Sequence, residues 1–385
     1  MRRLVPWYPC SVNSLVPASR RRSRPREVPS GGRPRRLFIG VEFNGSGGDA
    51  DVTQQHHEGG TMPLLLSRSD LSPLAADDEA LDDVIDAVQE SLLRSHAGDR
   101  GESVFAGVGL SNGDELTSQL GASSDGASVR LFPRIVRGVR RNAWLGIQID
   151  GAAGEVESMI ALDDLNELRT SVPAAVGVRY LAPEHATTLT VLGSGAQAAS
   201  HLRTFVRVMP GLETVRVWSP TKAHRDAFAD DMSERLQVGV TAMDTVETAV
   251  DGADVITAAG RTTPGESAVP DPTVVRAGTL FVSVTAAGLN LLPLGARLAV
   301  PTTQRPELVA HGFASGFLRD GPPPAPPDAL ELAEVIRNRH SARRSPAETV
   351  VYELAAPYLW DLPILTWITD WAKRHGAGTT FDFSD

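Results

Sequence analysis

The chain has 385 residues, of which 42% are hydrophobic and 22% charged, and its formal net charge is -10. This is an ordinary globular composition, long enough for a sizeable core, and its acidic balance argues against a nucleic-acid partner. A single cysteine, Cys10, excludes an internal disulfide and a cysteine-based metal cluster. No run is long and apolar enough for a transmembrane helix.

Residues 1–61 hold ten arginines, no lysine and five acidic residues, which leaves -15 for the remainder. Runs such as Arg20-Arg21-Arg22-Ser23-Arg24 cannot bury apolar area and are expected to stay disordered. A nucleic-acid or membrane-surface arm, an organelle transit segment and a start codon placed too early all fit such a leader. The abrupt onset of folded patterning at Met62 favours the last. His56-His57 has no companion ligands at metal spacing, so no metal is expected.

From Met62 onward, Met62-Pro63-Leu64-Leu65-Leu66 reads as a short strand. Asp77, Asp78 and Glu79 place negative charge at a helix start, and Leu81, Val84, Ile85, Val88 and Leu92 follow at helical spacing. Residues 101–162 read as several short strands, with Gly151-Ala152-Ala153-Gly154 as a hairpin turn. Residues 185–303 alternate strands and helices, as parallel α/β units do: strands at Thr188–Leu192, Thr214–Trp218, Ala253–Ala258 and Thr279–Val284, and a helix over Ala196–Met209. Gly-Pro-Pro-Pro-Ala-Pro-Pro at 321–327 reads as a stiff surface connector. The end of the chain carries Trp360, Trp367 and Trp371 and reads as a packed tail that docks on the first domain.

The chemistry centres on Gly193-Ser194-Gly195-Ala196-Gln197-Ala198, between a predicted strand and a predicted helix. Gly193 permits the tight turn, Gly195 lets the backbone approach a pyrophosphate, and small Ala198 allows close helix–strand packing. The free N–H groups of the helix start face the phosphates. An NAD site usually has an acid at the end of the second strand, to hold the ribose 2′-hydroxyl. Here that strand ends in Trp218-Ser219-Pro220-Thr221-Lys222, without an acid. Ser219, Thr221, Lys222 and Arg225 are candidates for a 2′-phosphate, so NADP(H) is favoured over NAD(H). The alternative is that Lys222 and Arg225 are solvated helix charges, and the missing acid weighs more than these bases in favouring NADP(H).

These residues, with His201 just beyond, resemble the fingerprint of the ornithine cyclodeaminase/mu-crystallin family. Leu64-Leu65-Leu66-Ser67-Arg68-Ser69-Asp70 is similar to its opening strand and turn, and Leu168-Arg169-Thr170 to its Arg-Thr motif. Val217-Trp218-Ser219-Pro220-Thr221-Lys222 resembles the mu-crystallin form, which takes NADPH. Gly252-Ala253-Asp254-Val255-Ile256 resembles the fourth strand, and Thr349-Val350-Val351-Tyr352 stands where the closing helix begins. The resemblance implies an α/β protein with a Rossmann NAD(P)-binding domain at 185–344. An α+β substrate and dimerisation domain at 62–184 is completed by the tail, 345–385. It further implies a cytoplasmic homodimer in amino-acid metabolism, acting on a small amino acid or cyclic imine. Arg169 maps to the residue that holds the substrate carboxylate, a task a guanidinium performs bidentately. Asp163 and Asp164 are candidates to orient it, and Thr170 to cap its helix.

Departures from the family pattern matter as much. The position of the family's catalytic Asp falls on Ala287, which leaves the catalytic group unknown. No Asp or Glu occurs between Val284 and Val300 to replace it. Where a substrate-contacting lysine is expected, Arg130 is the nearest candidate, and arginine cannot serve as a base. The family's Lys near the closing helix is Glu353. The cofactor cradle is kept, while conversion of ornithine to proline is disfavoured against ketimine-reductase chemistry, the reduction of a preformed imine. The alternative is a non-catalytic NADPH-binding protein with a small-ligand site.

Overall fold

The computed structural model describes residues 62–97, 102–109, 115–123, 126–134, 144–163, 165–259, 271–283, 287–301, 328–338, 342–354 and 358–382. The arginine-rich leader, His56-His57 and the 321–327 connector lie outside the described residues.

Strand β1 (Leu64–Leu66) opens the fold, as its apolar run predicts. Helix α1 (Arg68–Ala76) starts at a reciprocal cap. The Ser67 hydroxyl accepts from the Asp70 N–H, and the Asp70 carboxylate accepts from the Ser67 N–H at 2.8 Å. Helix α2 (Glu79–Ala97) buries Leu81, Val84, Ile85, Val88 and Leu92, the expected stripe. Burying each of these side chains contributes about 1.5–3 kcal/mol.

Five strands follow: β2 (Glu102–Gly109), β3 (Glu115–Ser123), β4 (Gly126–Arg134), β5 (Leu145–Asp150) and β6 (Val156–Ala161). They run as an antiparallel meander, and Gly151–Gly154 turns β5 into β6. The far edge is closed by β1, parallel to β6, and by β15 (Thr379–Thr380), antiparallel to β1. The beginning of the described chain therefore pairs with its end.

Helix α3 (Leu168–Leu181) leads into the second sheet and is buried along most of its length. It begins at Leu168 with Glu167 as the cap residue, so Thr170 stands inside the helix and does not cap it. Pro173 is the sixth helical residue, beyond the first turn.

The second sheet is built from β7 (Thr188–Leu192), β8 (Thr214–Trp218), β9 (Val240–Ala242), β10 (Val255–Ala258), β11 (Leu280–Ser283), β12 (Arg297–Val300), β13 (Leu330–Glu331) and β14 (Val350–Glu353). All its pairings are parallel, in the order β13-β12-β14-β11-β10-β7-β8-β9. Helices α4 (Ala196–Val208), α5 (Lys222–Leu236), α6 (Val246–Val250) and α7 (Leu332–Asn338) belong to these crossovers. The four strands read from sequence, β7, β8, β10 and β11, are present within a residue or two. Val350–Glu353 differs: a strand stands where the resemblance puts the start of the closing helix. It is inserted between β11 and β12 and buried along its whole length, an environment that favours the β-branched pair Val350-Val351 as strand. The closing helix, α8 (Tyr358–His375), begins later and packs on α2 and on β3, β4 and β5, burying Trp360, Trp367 and Trp371.

Candidate active site

From β7 the chain moves one way across the sheet, to β8 and β9, and then crosses back to β10 on the other side of β7. This reversal opens a crevice at the carboxyl ends of the strands, where α/β sheets bind ligands. The glycine turn lies there. Gly193, directly after β7, has φ +132° and donates its N–H to the Trp218 carbonyl at 2.8 Å. That φ favours glycine. Gly195, the cap residue of α4, is extended, and a Cβ built on it would meet nothing within 4 Å. Gly195 therefore faces open ground at a helix start whose N–H groups have no partners within the helix. Ala198 is fully buried, as close packing of α4 on the sheet requires.

Ser194 donates its hydroxyl to Ser219 Oγ at 2.9 Å, which ties the turn after β7 to the turn after β8. In the first turn of α4, Ala196 is exposed and the Gln197 carbonyl accepts from His201 Nδ1 at 2.7 Å. Gln197 Oε1 and His201 Nε2 are buried and find no hydrogen-bond partner among the described residues. Burial lowers the His201 imidazole to about 4, against the pull of the Gln197 carbonyl, so the ring is neutral near pH 7.

At the end of β8, Thr221 caps α5 through its backbone without using its hydroxyl as a cap acceptor. Lys222 is exposed, and its Nζ lies 2.6 Å from Asp226 one helical turn on. Both side chains can turn toward a ligand. Arg225 cannot serve as the phosphate ligand the sequence suggests. It is buried, donating to the Ser219 carbonyl at 3.2 Å and to Asp244 at 2.9 Å, and so holds the turn in place.

Arg169 stands in the first turn of α3. Two residues on, the Ser171 hydroxyl lies 2.7 Å from that of Ser200 on α4. The Ser171 carbonyl also accepts from the Thr204 hydroxyl at 3.3 Å. These contacts join the first turns of α3 to the helix that rises from the glycine turn. The carboxylate that meets Arg169 is Asp361 of α8, not Asp163; Asp164 lies outside the described residues. Arg169 Nε donates to Asp361 Oδ1 at 2.8 Å and Nη2 to Oδ2 at 3.4 Å. Burial pushes the Asp361 carboxyl up to about 6, and the Arg169 guanidinium opposes that shift. Asp361 is 192 residues from Arg169, and no local signal announces the pair.

Arg130 lies on β4, opposite Gln119 of β3 and Gly146 of β5; its side chain is outside the described part. Ala287 opens a 3-10 helix (Ala287–Leu294) after β11, where Gly288 donates to Ser283 Oγ at 3.4 Å. Ser283 is in register with Glu353, the buried last residue of β14. The fold thus brings a carboxylate from the neighbouring strand to this edge, although the turn itself has none. Among the described residues no cluster of three or more metal-ligating side chains occurs. No described helix is long and apolar enough to cross a membrane.

An all-parallel sheet with a glycine turn at its order reversal, beside a mixed sheet, defines a two-sheet α/β protein of the Rossmann type. Residues 134–375 match the profile of the ornithine cyclodeaminase/mu-crystallin family, and the chain belongs to that family. Among its relatives is an uncharacterized cyclodeaminase of Sinorhizobium fredii, 25% identical over 252 residues, covering 61% of this chain and 72% of the relative. The fold is similar to that of the iminosuccinate reductase of Paracoccus denitrificans in complex with NAD+, with TM-score 0.68 and 19% identity over 84% of this chain and 100% of that one. It is also similar to the Delta(1)-pyrroline-2-carboxylate reductase of Thermococcus litoralis in complex with NADH and L-proline. That TM-score is 0.65, at 18% identity over 83% of this chain and 100% of that one. At these identities the likeness is one of fold.

Proposed function

We propose that this protein binds a reduced nicotinamide dinucleotide, NADPH in preference to NADH, and reduces the C=N bond of a small imino acid whose carboxylate is held by Arg169. The observation that carries the reading is the Ser171–Ser200 contact, which sets the carboxylate clamp on α3 beside the helix that rises from the glycine turn. The residues fit the cofactor. Open ground at Gly195 admits a pyrophosphate, and the N–H groups at the start of α4, which have no partners within the helix, would donate to it. Gly193, Ser194, Gly195, Ala196 and Gln197 would hold the pyrophosphate, and Ser219, Thr221 and Lys222 the 2′-phosphate. When bound, the nicotinamide supplies a hydride.

Reduction of a preformed imine needs a hydride aligned with the imine carbon, a clamp on the carboxylate, and one proton for the nitrogen, taken from water or another acid. Cyclodeamination of ornithine also needs a group to relay the amine proton, and Ala287 cannot do so. The two structural neighbours named above act on imines by their names, and their complexes hold NAD+, NADH or L-proline. On this reading the mixed sheet with α8 forms the substrate side and the homodimer contact. The test is oxidation of NADPH by the purified protein with cyclic and linear imino acids, run beside proline formation from ornithine. Ordinary ornithine turnover overturns the reading. NADPH binding without turnover on any imine favours the second reading, a non-catalytic NADPH-binding protein, to which Ala287 also points.

A further inference from the structure

Arg169, half-buried, and Asp361, buried, form an ion pair. The Asp361 side chain is 6% exposed and the Arg169 side chain 19%. A guanidinium has five N–H donors in a fixed plane, and Asp361 engages the Nε and Nη2 edge. The Nη1 side has no protein partner among the described residues. A buried ion pair of this kind stabilises a fold little better than apolar packing of the same volume. Its physical effect is to lock the guanidinium plane, so that little side-chain entropy remains to be lost when a ligand arrives.

We propose that Asp361 is a positioning residue for ligand recognition, holding one edge of Arg169 so that its Nη1 side meets the carboxylate of the bound imino or amino acid. This rests on the reading above that Arg169 is the carboxylate clamp. Asp361 acts on the ligand through Arg169. The pair also balances charge. Without Asp361 a buried cation would stand alone, free to swing and to pair with other anions.

A double-mutant cycle tests the proposal, with L-proline and its decarboxylated counterpart pyrrolidine titrated into the NADPH-saturated protein. Asp361→Asn should weaken L-proline about tenfold or more, the size of one charge-assisted hydrogen bond, and leave pyrrolidine and NADPH unchanged. In an Arg169→Ala background the same substitution should change L-proline affinity by less than about twofold, because the partner it acts through is gone. Asp361→Glu keeps the charge and displaces it by one methylene; it should weaken L-proline to an intermediate degree, and it serves if Asp361→Asn does not fold.

Equal weakening of L-proline and pyrrolidine would show a merely structural role and overturn the proposal. Full additivity in the cycle would overturn it too. So would tighter L-proline binding in Asp361→Asn, which would mean that the two carboxylates compete for Arg169. Imine turnover with an additive cycle sinks the positioning role and leaves the reductase reading standing. A coupled cycle without turnover does the reverse. Absence of carboxylate-dependent binding in the wild type overturns both.

Discussion

The ring of Tyr352 on β14 occupies the space that a side chain at Gly177 of α3 would need. The Tyr352 hydroxyl donates to the Pro173 carbonyl of the same helix at 3.4 Å. Helix and sheet meet here at the closest approach that glycine allows. Gly177→Ala is therefore expected to destabilise the protein by about 1–3 kcal/mol through overpacking. Adding Tyr352→Leu should recover part of that loss. Thermal denaturation of the two variants checks this, and an unchanged melting temperature for Gly177→Ala would show that the contact is looser than described.

Gly195 presents the opposite case. A Cβ there meets no protein atom within 4 Å, and its backbone is extended, so alanine brings no steric cost. On the proposed reading, the open ground is the path of the pyrophosphate. Gly195→Ala should melt at the wild-type temperature without cofactor and bind NADPH about tenfold more weakly or worse, the cost of losing one well-made phosphate contact. Retained affinity would move the pyrophosphate elsewhere.

Lys222 and Arg225 should part company on substitution. Lys222 is exposed and paired only within its own helix, and such surface pairs contribute little. Lys222→Ala is expected to leave stability unchanged and to weaken NADPH about tenfold while sparing NADH. Arg225→Ala should lower the melting temperature and weaken both cofactors, because Arg225 holds the Ser219 carbonyl that shapes the turn. Fluorescence titration with both cofactors decides it. Equal loss of NADPH and NADH in Lys222→Ala would remove the 2′-phosphate from that side chain.

What could be read in advance was whatever announces itself locally. Thr188–Leu192 is an apolar run ended by glycine, and the stripe of α2 repeats at helical spacing, so both appear where the pattern puts them. The glycine turn was legible because its glycines answer to backbone geometry within a few residues. Asp361 was not, because an ion pair across 192 residues leaves no trace in spacing. Glu353 could be seen as a replaced lysine, yet its place beside Ser283 depends on β14 entering the sheet between β11 and β12. Arg225 carried the right charge near the right turn, and only the fold shows that it is buried and turned to the Ser219 carbonyl and Asp244.

Two buried groups should pull stability in opposite directions as pH changes. His201 is buried as the neutral ring, with its folded value lowered from 6.5 to about 4. A lowered histidine contributes stability that is fully present above 6.5 and lost as pH falls through about 4, since the unfolded chain binds the proton first. That gap corresponds to about 3 kcal/mol. Asp361 is raised from 3.8 to about 6, so its contribution is fully present below 3.8 and lost as pH rises through 6. The two slopes partly cancel in the wild type, and single substitutions unmask them. His201→Gln should lose its disadvantage relative to wild type as pH falls from 6.5 to 4. Asp361→Asn should lose its disadvantage as pH rises from 4 to about 6. Urea denaturation of the three proteins across this range measures both differences. A difference between wild type and His201→Gln that stays constant with pH would show that His201 takes up its proton in the folded protein at an ordinary pH.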